Sequence, residues 1–176
     1  MSELAAENVE VLEQLIDLVD GMSASRYRQH FGSRNQHTIG KHVRHIIDHY
    51  EGLVQPMYAR TPTPVNYEHR RREASLETVP EIACDRLREI CGILREISAP
   101  AQQHALDVDH STTRSTLRLT SSVGRELAFL SSHTIHHMAI IGLLAEQMGV
   151  EPAREFGVHP STLRHWERQE RRAAAI

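Results

Sequence analysis

The segment that most limits what this chain can fold into is GRELAFLSSHTIHHMAIIGLLAEQMG, from Gly124 to Gly149. Val123, Leu127, Leu130, Thr134, His137, Ile141, Leu144 and Met148 recur in steps of four and three. That is the period of an amphipathic helix whose seam packs against other helices. At about 1.5 Å per residue, a helix of this length crosses a small domain by itself. His137 falls in the middle of the seam, and His133 lies one turn before it in the same sector. Two imidazoles in an apolar seam lose their hydration unless something binds them. The partner that this pattern points to is a metal ion.

Three more stretches carry the helical period. Leu4, Val11, Leu15, Leu18 and Met22 mark a first helix over about residues 2–20, with Gly21 as its stop and a short helical turn within 23–31. A second helix follows Gly32, along Ile39, Val43, Ile46, Tyr50, Leu53 and Met57. Ser33 with Gln36 fits a capping box for it, and Asn35 or Thr38 would serve as well. A third is predicted from Thr78, which forms a capping box with Glu81, and has Ile82, Leu87, Ile90, Leu94 and Ile97 as its buried stripe. Between the third and fourth helices, ALDVDHSTTRSTLRLTS alternates apolar and polar residues around STTR and reads as a small hairpin. Ser122 caps the fourth helix and Gly149 closes it. These elements predict an all-α, up-down four-helix bundle. It forms one domain over residues 1–176, with 150–176 as a tail packed on the bundle. A short helix capped at Pro160-Ser161 is predicted to run through Trp166, and the last residues to fray.

A chain of 176 residues suits one domain with a full core. Its N-terminus carries acids where a secretory signal carries Lys or Arg, so no targeting peptide is predicted. No uninterrupted apolar run approaches the roughly 18 residues that span a bilayer. Cys84 and Cys91 fall two turns apart on the third helix, too far to bridge, which suits a reducing cytoplasm. The chain has no glycine-rich phosphate loop, C-x2-C pair or G-x-S-x-G elbow, which argues against nucleotide-dependent and serine-hydrolase chemistry.

The unusual feature is thirteen histidines against 5% aromatics. Most are grouped, His37, His42, His45 and His49 in one segment, His133, His136 and His137 in the other. An i, i+4 pair projects from one side of a helix, and a histidine from a facing helix would complete three neutral ligands. Three ligands leave positions open for water or substrate, as catalytic zinc sites do. His136 points about 100° away from His137 and is predicted to lie outside the ligand set. His42, His45 and His49 share a face, and periodicity does not choose among them. Asp48 is placed to orient a histidine, or to be a solvated helix acid. VNYEHRRRE, with Tyr67, Arg70 and Arg72, is a basic loop that would cover one end of the site and attract an anionic thiol or carboxylate. A solvated surface run is the plainer account of it. Glu126 falls in the inward sector of the fourth helix, to pair with an arginine, serve as a base, or stabilise the helix dipole. The tail AREFGVHPSTLRHWERQ resembles the second half of a helix-turn-helix, with Arg164, Arg168, Arg171 and Arg172 toward phosphates. The net charge of −3 disfavours nucleic acid as a partner.

The segments HTIGKHVRHIIDHYEGL and SSHTIHHMAIIGLLAE resemble those of the DinB-like metalloprotein superfamily, which includes YfiT-type and mycothiol-dependent enzymes. The resemblance follows helix order over nearly the whole chain. It implies a DinB/YfiT-like four-helix bundle, a homodimer, and a divalent metal, zinc or nickel. The family's helix-two ligand falls on His45 and its H-x3-H pair on His133 and His137, with His49 in reserve. The implied chemistry is activation of water or of a low-molecular-weight thiol, toward hydrolysis or thiol transfer to an electrophile. A non-catalytic, metal-stabilised binding or stress-response module is the alternative.

Overall fold

The computed structural model describes residues 1–173; the end of the predicted tail, 174–176, lies outside the described residues. The chain is mostly helical. Helix α1 spans Glu3–Val19, α2 Ala24–Tyr27, α3 Ile39–Met57, α4 Ala74–Thr78 and α5 Pro80–Arg95. Strands β1 (Ala105–Ser111) and β2 (Thr116–Ser122) then lead into α6 (Val123–Gln147) and α7 (Pro160–Ala173). The strands form an antiparallel hairpin in which Val108 faces Leu119. An all-α description is therefore amended by one small sheet, at the place where the alternating pattern predicts it.

The long helices pack α1 on α5 and α6, and α3 on α5 and α6. Most predicted seam positions are the core: Leu15, Ile46, Tyr50, Leu53, Leu87, Leu94, Leu127 and Leu130 have essentially no exposure, as does Leu12 outside the predicted stripe, while Leu4, Leu18 and Met57 are only partly buried. Each such side chain contributes about 1.5–3 kcal/mol relative to an exposed one. Helix α6 runs 25 residues and, by length and composition, could cross a bilayer. Ser, His and Thr residues interrupt its apolar run, so length and mean hydropathy, not an unbroken run, give it that capacity. Its apolar side chains instead fill the core shared with α1 and α3.

Local signals decide most of the ends. Ser2, Thr38 and Ser122 accept from the backbone N–H three residues on, capping α1, α3 and α6. Of the candidate caps for α3, Thr38 is the one used. The predicted box at Thr78 does not form. The Thr78 hydroxyl donates back to the Ala74 carbonyl, closing α4, and α5 starts afresh at Pro80. Ile82 is exposed rather than buried, since the inward face of α5 runs through Ala83, Leu87, Ile90 and Leu94. Cys84 and Cys91 are both free and buried.

Two glycines permit close approaches. A Cβ on Gly40 would lie 2.1 Å from the Glu77 carbonyl oxygen, so only glycine lets α4 rest on the start of α3. Gly157, at φ +67°, lies against Met138 and Ala139 of α6, and Phe156 packs by Gly142. Residues 156–157 are thus held against α6. Helix α7 extends past Trp166 to Ala173, and Arg154 stacks on the Trp166 ring at 5.0 Å.

The loop between α3 and α4 is pinned at Val65, which is fully buried. Its N–H donates to the Asp107 carbonyl, and its own carbonyl accepts from the Asp109 N–H, both at 2.8 Å. Asn66 then accepts from the N–H groups of Glu68 and His69. That turn brings the following residues back over α3.

Candidate metal centre

Positions 42, 45 and 49 share one face of α3, and 133 and 137 one face of α6. Because α3 packs on α6, the two sets meet. Nε2 of His45 is 3.0 Å from Nε2 of His133. Ring centroids are 4.2 Å apart for His45 and His49, 4.4 Å for His49 and His133, and 4.4 Å for His45 and His137. Ligand atoms of His45, His49 and His133 all fall within 4.8 Å of one another, a group that could hold a metal ion. His137 lies 4.6 Å from His133, centroid to centroid, and its Nδ1 is 3.0 Å from Nδ1 of His42.

Donor chemistry fixes several protons. Nδ1 of His49 is 2.8 Å from the His45 carbonyl, which only accepts, so it carries the proton and leaves Nε2 a free lone pair. A backbone carbonyl on the other ring nitrogen is the usual arrangement of a ligating histidine. Nδ1 of His45 meets Nη1 of Arg70 at 2.6 Å. A guanidinium only donates, so this nitrogen accepts and the proton of His45 lies on Nε2, toward His133. One of the paired Nδ1 atoms of His42 and His137 donates to the other, while Nε2 of His42 is buried without a partner.

The electrostatics keep these rings neutral. Burial, reinforced by neighbouring histidines, pushes His42 and His49 down to about 4, His137 to about 3 and His45 to about 2. Arg70 adds to the depression at His45, and burial also lowers His133. A cluster of imidazoles that stays unprotonated at neutral pH is the donor set that a borderline divalent ion requires. Two nitrogens bound to one ion at about 2.0–2.1 Å lie about 3 Å apart at ordinary angles, and the His45–His133 spacing matches that. With the orphaned Nε2 of His42, this donor set fits a metal.

The other predicted site residues divide. Tyr67 stacks on His49 at 5.4 Å, and its hydroxyl donates to Glu126 at 2.8 Å. Glu126 is fully buried and also accepts from Ser121 and Arg125, so it anchors the wall of the site through Tyr67. Arg70 reaches the histidines, whereas Arg72 is exposed on the loop. Asp48 is buried but accepts from Arg44 at 2.5 Å and not from a histidine, which corrects the orienting role considered for it. His136 is exposed, as the 100° offset predicts, and its ring meets that of His137 edge-on at 5.3 Å between centroids. The role of His42 was missed; its place in the same α3 stripe as His45 and His49 was the signal. A cavity of about 590 Å³ between the end of α3, Pro64 and the hairpin is lined by His104 and Asp107, and by none of these five histidines.

The DinB family model matches residues 1–155. The chain belongs to the DinB family. A protein of Rhizopus delemar described as FK506-binding protein 5 is 32% identical to it over 124 residues. That alignment takes in 68% of this DinB-family chain, which spans only about a third, 32%, of the relative. The family match includes both histidine segments and stops short of α7.

Proposed function

We propose that this chain is a metal-dependent enzyme built as an up-down four-helix bundle, in which a divalent ion activates water or a small thiol. His45, His133 and His137 are the ligands in this reading, with His49 within reach as a fourth. The observation that carries it is the convergence of five neutral imidazoles from α3 and α6 around the 3.0 Å His45–His133 contact. Imidazole suits zinc and nickel alike, so the ligand set leaves both open. An ion on uncharged ligands keeps its full charge and lowers the pKa of a bound water or thiol.

The protein's own groups would do the rest. Tyr67 and Phe129 flank His49 and His133 with aromatic faces, restricting water on that side. Tyr67 is held by Glu126, while burial and that carboxylate push its hydroxyl far above the usual phenol range. It therefore stays a hydrogen-bond donor at any ordinary pH. The family resemblance supports a homodimer, which light scattering on the purified chain would check, and the free, buried Cys84 and Cys91 suit a reducing cytoplasm.

Elemental analysis of the purified protein, joined to an anomalous map, tests the reading. One ion per chain on these histidines with a vacant or water-occupied position supports it; an ion with every position filled by protein ends the catalytic version. One observation favours a second reading. Nε2 of His49 is a free lone pair within the same cluster. Ligation by all four histidines would close the site and make the ion a structural staple. Melting curves with and without chelator then separate the two, because a staple gives a large stability loss and no uptake of added thiol.

A further inference from the structure

Most arginines at the edge of the histidine centre have a carboxylate. Arg44 binds Asp48 and Glu77, and Arg125 binds Glu126. Arg70 differs. Among the described residues no carboxylate forms an ion pair with it, and its Nε is buried with no hydrogen-bond partner. Its Nη1 instead donates to His45 Nδ1 at 2.6 Å. Backbone pins at Val65 and the Asn66 turn hold its loop over this spot.

That contact depends on which nitrogen of His45 bears the proton. If His45 is to ligate through Nε2, its proton must sit on Nδ1. Nδ1 and the guanidinium would then be two donors facing each other at hydrogen-bond distance, and the guanidinium must leave. Among the described residues no carboxylate is ion-paired with it, and the charges of Asp48 and Glu68 reach it only from a distance. A planar fork of donors, freed beside the histidines and with no carboxylate paired to it, is suited to a bidentate carboxylate.

We propose that Arg70 recognises a carboxylate group on the small substrate of this site, and that metal loading releases it for that task. The proposal rests on the metal-binding reading above. It assigns Arg70 alone among the arginines of VNYEHRRRE to recognition; Arg71 and Arg72 are exposed. The reacting end of the substrate would face the histidines while its carboxylate, a few bonds away, meets Arg70.

The test uses the full chain loaded with cobalt(II), whose visible spectrum reports both the ligand set and thiolate binding. Two probes of equal length, 3-mercaptopropionate and its uncharged amide 3-mercaptopropionamide, are titrated into wild type and Arg70→Gln. Wild type should bind the carboxylate at least about tenfold more tightly, and Arg70→Gln should remove that preference. The same variant should hold cobalt as tightly as wild type or more so in chelator competition, since nothing then caps Nδ1 of His45. Cobalt uptake with no preference for the carboxylate, uptake of neither probe, or a preference that survives Arg70→Gln each overturns the proposal. Failure of wild type to take up cobalt on the histidines would instead overturn the metal-binding reading. Circular dichroism of Arg70→Gln, with an unchanged helical spectrum expected, confirms that the comparison is made on folded protein.

Discussion

Two polar layers cross the interface where α3 meets α6, and they are built on opposite terms. In one, Asn8 donates to the Leu4 and Leu127 carbonyls and accepts from the Tyr50 hydroxyl, which lies 3.4 Å from that of Thr134. Every polar group there has a partner, and Asn8, Tyr50 and Thr134 are buried. In the other, five histidines and Arg70 crowd together, with Nε2 of His42 and Nε of Arg70 buried and unpartnered. A satisfied layer specifies how helices register. An unsatisfied one keeps donors and lone pairs for something else, at a standing penalty of about 1–3 kcal/mol for each orphaned group. The first layer is structural in its chemistry, and the second is shaped to receive a ligand.

The sharpest way to break this contrast is to remove metal ligands. His45→Ala, His133→Ala and His137→Ala should each abolish stoichiometric metal in elemental analysis, whereas His136→Ala should leave it in place. Equal losses at all four positions would refute the helix-face argument. Next in size, Asn8→Ala should lower stability by about 2–3 kcal/mol in urea denaturation, because it takes the acceptor from the buried Tyr50 hydroxyl and leaves a gap in the core. Metal stoichiometry should not change. Loss of metal in that variant would show the two layers to be one unit.

A smaller effect is expected at His42, whose Nδ1 can accept the His137 Nδ1 proton and so hold Nε2 of His137 as a free lone pair for the metal. His42→Ala should weaken metal binding by about 10–100-fold in chelator competition while keeping one ion per chain. A further effect concerns pH and the metal-free protein. His42, His45, His49 and His137 are neutral when folded, with values lowered to between about 2 and 4, against 6.5 in the open chain. The unfolded state therefore binds more protons below about pH 6.5. Stability should be full above that pH and fall as it drops toward 4. The urea midpoint at pH 7.5 and 5.5 measures this, and the difference should shrink in His49→Gln.

Much of this comparison is legible in the residues. Steps of three and four along α3 and α6 mark the buried faces, and the histidines are visible interruptions in them. Asn8 is harder to find, because one amide inside α1 looks like any surface asparagine until Tyr50 and Leu127 are placed beside it. The cap at Ser122 is legible as the hydroxyl directly before the apolar period of α6. Thr78 does not cap, because its hydroxyl donates to the Ala74 carbonyl in the preceding turn. The error at Ile82 is one of phase, since it lies five residues before Leu87, about 140° round the helix, and Ala83 takes the inward place.

The centre itself divides in the same way. Periodicity limits the candidates to one stripe on α3 and an i, i+4 pair on α6, and excludes His136. It cannot choose among His42, His45 and His49, because residues on one face differ only in height along the axis. Which ones meet the partner helix depends on how the helices slide against each other.

The sequence by itself determined four amphipathic helices, a hairpin, and two histidine faces turned inward, since these follow from local period, capping and turn chemistry. Only the tertiary structure decided that His49 joins His45 and His133 within one cluster, that His42 pairs with His137, and that Arg70 rests on His45. Those pairings join residues 25 to 95 positions apart, apart from the neighbours on α3. Helix packing and the pinned loop set their distances, and neither is encoded in any local pattern.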